Sequence, residues 1–155
     1  MRAGIGYDIH RLVPGRPLVL GGVEIDYEKG LLGHSDADVL IHALCDALLG
    51  AAAMGDIGRH FPDSDPAWKD APGTVLLEKT WLMVSGEFGG VANIDATIFA
   101  QEPRLSPHTG AMIDVISGCL GIGRNRVNIK ATTTEGLGDI GSGSAMAAMC
   151  VVLIE

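Results

Sequence analysis

The stretch Ala145-Met146-Ala147-Ala148-Met149-Cys150-Val151-Val152-Leu153-Ile154 is apolar from end to end. Its β-branched close favours a strand over a helix. Side chains alternate along a strand. Ala145, Ala147, Met149, Val151 and Leu153 therefore point one way, and Met146, Ala148, Cys150, Val152 and Ile154 the other. Both faces then need cover. Helices can supply one cover. The sequence offers three good helices, so sister subunits are expected over the other face. The expected class is α+β: a mixed β-sheet with helices packed on one face and an oligomer covering the other.

Working outward, residues 2–9 read as a strand, and 18–20 with 23–26 as a short hairpin around Gly21-Gly22. Asp36 to Ala53 follows a helical pattern, with Asp36 the expected N-cap and Gly50 and Gly55 marking its end. A loop rich in Gly, Pro and Asp fills Gly55 to Gly73; a loop that long inside a compact domain reads as functional. Thr74 to Ser85 reads as a second helix, Val91 to Ala100 as a strand, 107–120 as a third helix and Val127 to Thr132 as a strand. No linker, internal repeat or low-complexity block interrupts the chain, so residues 1–155 are expected to form a single domain.

With 155 residues, 47% of them hydrophobic, the chain can bury a real core. The formal net charge of -8 excludes a nonspecific nucleic-acid or membrane surface, which needs clustered Lys and Arg. An anionic substrate would have to be met by metals, backbone N–H groups and a few basic side chains. Cys45, Cys119 and Cys150 are odd in number, far apart and set in apolar stretches. They read as buried thiols of a cytoplasmic protein. No signal pattern and no membrane-length apolar run occurs.

The chemistry concentrates in three places. In Gly6-Tyr7-Asp8-Ile9-His10 a carboxylate and an imidazole lie two residues apart on a strand, on one face. His42 lies on a helix that is apolar almost all round, where a lone His reads as a core residue. Asp38, His42 and Asp46, however, fall at i, i+4 and i+8, a polar stripe that needs a polar destination. Asp8 and His10 supply one. Asp8, His10 and His42 make a three-ligand zinc set with an open fourth position. Asp46 is expected to accept the second N–H of His42 and fix its ring. Lys130-Ala131-Thr132-Thr133-Thr134-Glu135 offers hydroxyls and N–H groups to phosphate oxygens, and Glu135 a ligand for a hard cation. Gly136 to Gly141 matches GxGxxG, but the following segment reads as a strand and no acidic residue lies twenty positions on, which excludes a dinucleotide site. His60 and His108 are expected at the surface.

Together with Gly33-His34-Ser35-Asp36-Ala37-Asp38, Gly55-Asp56-Ile57-Gly58 and Phe61-Pro62-Asp63-Ser64-Asp65-Pro66, these motifs resemble the 2-C-methyl-D-erythritol 2,4-cyclodiphosphate synthase family. The resemblance spans nearly the whole chain, in order. It implies a homotrimer with active sites between subunits. It also implies a reaction of the non-mevalonate isoprenoid pathway, in which 4-diphosphocytidyl-2-C-methyl-D-erythritol 2-phosphate becomes the cyclic diphosphate plus CMP. By resemblance, Asp8, His10 and His42 bind Zn²⁺ or another divalent transition metal, and Glu135 binds Mg²⁺ or Mn²⁺ with the diphosphate. His34 and Thr133 stabilise the transition state. Asp8, Ile9, His10, His34, Ser35, Asp56, Ile57, Gly58, Phe61, Pro62, Asp63, Ser64 and Asp65 hold the methylerythritol phosphate side. Ala100, Gln101, Glu102, Pro103, Arg104, Leu105 and Ser106, with Ala131, Thr132, Thr133, Thr134 and Glu135, hold the cytidine diphosphate side, the 131–133 stretch coming from the neighbouring subunit.

Two places depart from the family pattern. Asp139 and Ser142 stand where the family often carries an aromatic and an Arg lining a cavity on the threefold axis, and Met149 replaces a Glu. Weak or absent binding of isoprenoid diphosphates there is the expected consequence. Two competing readings share the Asp-His-His cluster. One is a zinc-dependent phosphohydrolase of nucleotide diphosphates; the other is a trimeric binding module with structural zinc.

Overall fold

A computed structural model describes all 155 residues. The elements run β1 (Arg2–Pro14), β2 (Leu18–Leu20), β3 (Val23–Ile25), β4 (Lys29–Leu32), α1 (Val39–Ala52), α2 (Ile57–His60), α3 (Gly73–Ser85), β5 (Val91–Phe99), α4 (Thr109–Leu120), β6 (Val127–Thr132), α5 (Gly138–Gly141) and β7 (Ala145–Ile154). The main sheet has the order β4-β1-β7-β5-β6. Only β5 and β6 are parallel, joined through α4. The sheet is therefore mixed, and the α+β expectation holds.

The β7 alternation decides the layers as read. Met146, Ala148, Cys150, Val152 and Ile154 are at most 1% exposed, packed under the helices. On the other face, Met149 and Val151 are exposed, together with Ile5, Tyr7 and Ile9 of β1. One continuous cluster of buried residues joins the sheet to α1, α3 and α4. No helix is long and apolar enough to cross a membrane.

Helix α1 lies directly on β1, and small residues make that possible. A Cβ on Gly6 would overlap the Ala43 carbonyl, and one on Gly4 the Ala47 carbonyl. Glycine is required here by close approach of two backbones. The contact brings the outward turn of α1, with His42, over the strand carrying Asp8 and His10.

Several boundaries differ from the sequence reading. β1 continues to Pro14 because Arg11–Pro14 pairs with β4, a strand the sequence did not reveal. Helix α1 starts at Val39, and its N-cap is Asp38 rather than Asp36. Asp36 instead accepts from Asp38 N and Gly73 N, tying the α1 and α3 starts together. β5 ends at Phe99, one residue short. The third helix starts at Thr109, behind the Pro107 constraint. The long loop contains the single turn α2 and a 3₁₀ turn at Pro66–Trp68. Within the GxGxxG stretch, α5 is four residues long and the chain passes at once into β7. Cys45 and Cys150 are buried, Cys119 partly so, and all three are free thiols.

Candidate active site

Alternation along β1 turns Asp8 and His10 toward α1, where His42 meets them. Asp8 Oδ2 lies 2.8 Å from His10 Nε2 and 3.0 Å from His42 Nδ1, and the two ring nitrogens are 3.2 Å apart. Ligands around a tetrahedral zinc at about 2.05 Å sit about 3.3 Å from one another. The three donor atoms thus already stand near the edges of a tetrahedral face.

The hydrogen bonds behind this face fix its chemistry. His10 Nδ1 donates to the Leu32 carbonyl, 2.9 Å away, so in the neutral ring Nε2 carries a lone pair. That lone pair faces a carboxylate oxygen, and a positive charge must sit between them. Without a metal the charge is a proton. Burial pushes the His10 pKa down, but the Asp8 carboxylate outweighs it and holds the ring above its ordinary value. Burial likewise pushes Asp8 up, and hydrogen bonds from His10 and His42 overcome it, leaving the carboxyl well below the usual carboxylate range. Asp8 Oδ1 is taken by Ile9 N at 2.9 Å, which leaves Oδ2 for the cluster. The residues present fit a divalent metal.

Two expectations about the polar stripe are corrected. Asp38 faces away from the cluster: it is fully buried and accepts from Gly21 N, Gly22 N, Leu40 N and Ile41 N. Asp46 is not the partner of His42, because its Oδ1 accepts from Ile57 N at 2.7 Å. Ser35 holds His42 instead, its Oγ 3.0 Å from Nε2 and fixed in turn by Ala37 N at 3.1 Å. When Nδ1 is given to a cation, Nε2 carries the hydrogen and donates to Ser35 Oγ. At 100° per residue, an i, i+4, i+8 row drifts round the helix by 40° at each step. Only His42 in the centre of the row meets β1.

A pocket of about 430 Å³ opens over the cluster. Of the expected residues, Asp8, His10, His34, Ser35, His42, Ile57, Gly58, Phe61, Pro62 and Asp63 line it. Asp56, Ser64 and Asp65 do not; Asp56 caps α2 through Arg59 N, and the Asp65 carbonyl accepts from His34 Nε2 at 3.2 Å. The Ile9 side chain lies on the opposite, exposed face. Asp46, Leu32, Gly33, Trp68 and Leu76 complete the lining. Trp68 and Leu76 gave no motif signal, since as isolated apolar residues they read as core. His60, expected at the surface, is partly buried and donates to the Met54 carbonyl at 2.9 Å.

A second pocket, about 750 Å³, is lined within one chain by Ala100 to Ser106 and Ala131 to Thr133, together with Tyr27, which the resemblance did not imply. Thr134 and Glu135 lie outside its lining. The Thr133 hydroxyl donates to Glu135 Oε1 at 3.1 Å. The two pockets share no residue. Ile9, Ala147, Phe99 and Thr132 form one row across the sheet, so about three strand spacings, roughly 14 Å, separate β1 from β6.

Comparison with known proteins adds the following. The chain is 58% identical over 155 residues to a 2-C-methyl-D-erythritol 2,4-cyclodiphosphate synthase of Desulfatibacillum aliphaticivorans, covering all of both chains. It is 57% identical over 154 residues to the protein of that name from Moorella thermoacetica, covering 99% of this chain and 94% of the relative. A solved 2C-methyl-D-erythritol-2,4-cyclodiphosphate synthase with CDP bound superposes with a TM-score of 0.90 at 38% identity, covering 99% and 100% of the two chains. The bifunctional IspDF of Campylobacter jejuni superposes at 0.93 with 43% identity; the match covers 97% of this chain and 41% of that one. The model of the YgbB family matches residues 1–155 without interruption. With one family model spanning that whole length and full-length relatives 58% and 57% identical, the chain belongs to the YgbB family.

Proposed function

We propose that this chain is a phosphorus–oxygen lyase that converts 4-diphosphocytidyl-2-C-methyl-D-erythritol 2-phosphate to 2-C-methyl-D-erythritol 2,4-cyclodiphosphate and CMP. The observation that carries the reading is the convergence of three donor atoms on one point beside an open pocket. Names of relatives identical at more than half their positions support the product. Asp8, His10 and His42 would hold zinc or another divalent transition metal, and Glu135 magnesium or manganese, supplying positive charge to the phosphate oxygens of an otherwise self-repelling substrate.

The chain's own residues do the rest. An oxygen of the 2-phosphate attacks the β-phosphorus, the bond from that phosphorus to the bridging oxygen breaks, and its electron pair leaves on CMP. Nucleophile and electrophile belong to one molecule, so the protein's task is to fold it. His34 and Ser35 stand at the phosphate end, and Thr133, hydrogen-bonded to Glu135, stands at the diphosphate end. The α2 segment, anchored by Asp46 and capped by Asp56, lines the pocket through Ile57 and Gly58, where it would shield the reacting phosphorus from water.

One chain holds the metal pocket and the second pocket apart. We infer a homotrimer in which the second pocket of one subunit faces the metal pocket of the next. The exposed apolar face of Ile5, Tyr7, Ile9, Met149 and Val151 supports subunit contact over the sheet. ³¹P NMR of the purified protein with substrate, zinc and magnesium tests the activity. Coupled cyclic-diphosphate signals with CMP are expected, and none with His42→Ala. CMP with only linear monophosphates would replace the lyase by a hydrolase; unchanged substrate would leave binding alone.

A further inference from the structure

The second pocket contains a residue that no motif pointed to. Tyr27 lies between β3 and β4, and its ring is partly buried against the core cluster. A ring held by packing is a rigid mount for its hydroxyl. Tyr27 lines the pocket, and the carboxylates of Glu102, which lines it too, and of Glu28 lie close enough to act on its phenol. Burial first, then these two carboxylates, push its pKa above the ordinary tyrosine value, so it remains an O–H donor at neutral pH.

The other hydroxyls of this pocket already have partners. Thr132 donates to the Thr133 carbonyl at 3.3 Å, Thr133 donates to Glu135, and Ser106 accepts from Arg104 Nε at 3.0 Å. Lys29, two residues from Tyr27, reaches the Gly143 carbonyl instead, and Gln101 accepts from Gly136 N. The Tyr27 hydroxyl is left as the one in the pocket that neither donates nor accepts within the chain. A donor with no partner in the chain, on the wall of a cavity, suits an acceptor atom on a ligand.

We propose that Tyr27 is a nucleotide-binding residue, its hydroxyl donating a hydrogen bond to the nucleoside diphosphate held in the second pocket. This rests on the reading of that pocket under the proposed function. It adds a specificity contact, because a ligand presenting an acceptor there gains a hydrogen bond that one without it lacks.

The test is calorimetric titration of the full-length protein with CDP, comparing wild type with Tyr27→Phe. The substitution keeps the ring and its packing and removes only the hydroxyl. Loss of one neutral hydrogen bond predicts CDP binding weaker by about 5- to 10-fold. Zinc affinity, set in the other pocket, is expected to stay unchanged and reports that the fold is intact. Tyr27→Ala is expected to bind CDP no better than Tyr27→Phe. Equal CDP affinity in wild type and Tyr27→Phe would overturn the proposal while leaving the synthase reading standing. Wild-type protein that binds zinc but not CDP would remove the nucleotide reading of the pocket itself.

Discussion

His42 depends on two neighbours of different kinds, and single substitutions separate them. Ser35 Oγ fixes its outer nitrogen, whereas Asp46 reaches past it to Ile57 N. Ser35→Ala is expected to weaken zinc binding about tenfold, in the range found for partners behind metal ligands. Asp46→Asn is expected to leave zinc affinity unchanged and to loosen the 57–66 segment, read as faster amide exchange at Ile57. Equal zinc affinity in Ser35→Ala and wild type would show that packing alone orients the ring. The Asp8–His10 pair predicts a pH window for the metal-free protein. Asp8, with its folded pKa lowered, stabilises above its unfolded value near 3.8 and loses this as pH falls. His10, with its folded pKa raised, stabilises below its unfolded value near 6.5 and loses this as pH rises through the folded one. The melting-point gap between wild type and Asp8→Asn in chelator should therefore be widest near pH 5–6 and shrink by pH 9. A gap that is flat with pH would mean the pair carries no proton. The clustering of the proposed ligands was legible, because residue type and two-residue spacing put Asp8 and His10 on one face. Their supports were not: Ser35 and the Leu32 carbonyl act through a loop and a backbone atom, which carry no periodic signature.

At the scale of elements, the α1–β1 contact decides whether a site exists at all. Gly6 opposes the Ala43 carbonyl, and His42 is the adjacent residue. Gly6→Ala must push the helix off the strand or distort both. Overpacking of this kind costs about 3 kcal/mol, and it moves His42 away from Asp8. A lower melting point together with at least tenfold weaker zinc binding is the expected outcome in thermal scans and metal titration; a wild-type zinc affinity would mean that the cluster tolerates helix displacement. Nothing in the sequence marks Gly4 and Gly6 as the glycines that touch a helix, since close approach is a property of two segments. For the same reason β4 escaped notice. Its four residues include Gly30, whose Cβ would overlap the Pro17 carbonyl, so it lacks the alternation that reveals longer strands. Helix α1 was legible because 14 residues give its apolar pattern nearly four turns, while its start was misread by two Asp residues that both cap something.

For the whole molecule, the apolar run of β7 carried the most information, because it implied two covers and the chain provides one. The proposed metal ligands, their pocket and their supports all lie in one chain, whereas the nucleotide side of the reaction is inferred to come from the next. Binding and turnover should therefore respond differently to loss of assembly. Ile5 is 64% exposed on the uncovered face, paired in register with Val151, which is 45% exposed. Ile5→Lys places a charge where a neighbouring subunit would have to desolvate it, yet leaves that residue in water in the isolated chain, so the monomer fold should survive. Sedimentation velocity is expected to give a trimer for wild type and a monomer for the variant. The monomer should keep zinc affinity within about twofold, because all three donors lie on the α1 side of the sheet, opposite Ile5, while cyclic-diphosphate formation falls below detection. An active monomer would mean that one chain folds the substrate across both of its own pockets. A trimer persisting in the variant would mean that the subunits meet elsewhere, leaving the exposed face of β1 and β7 without the role its composition demands.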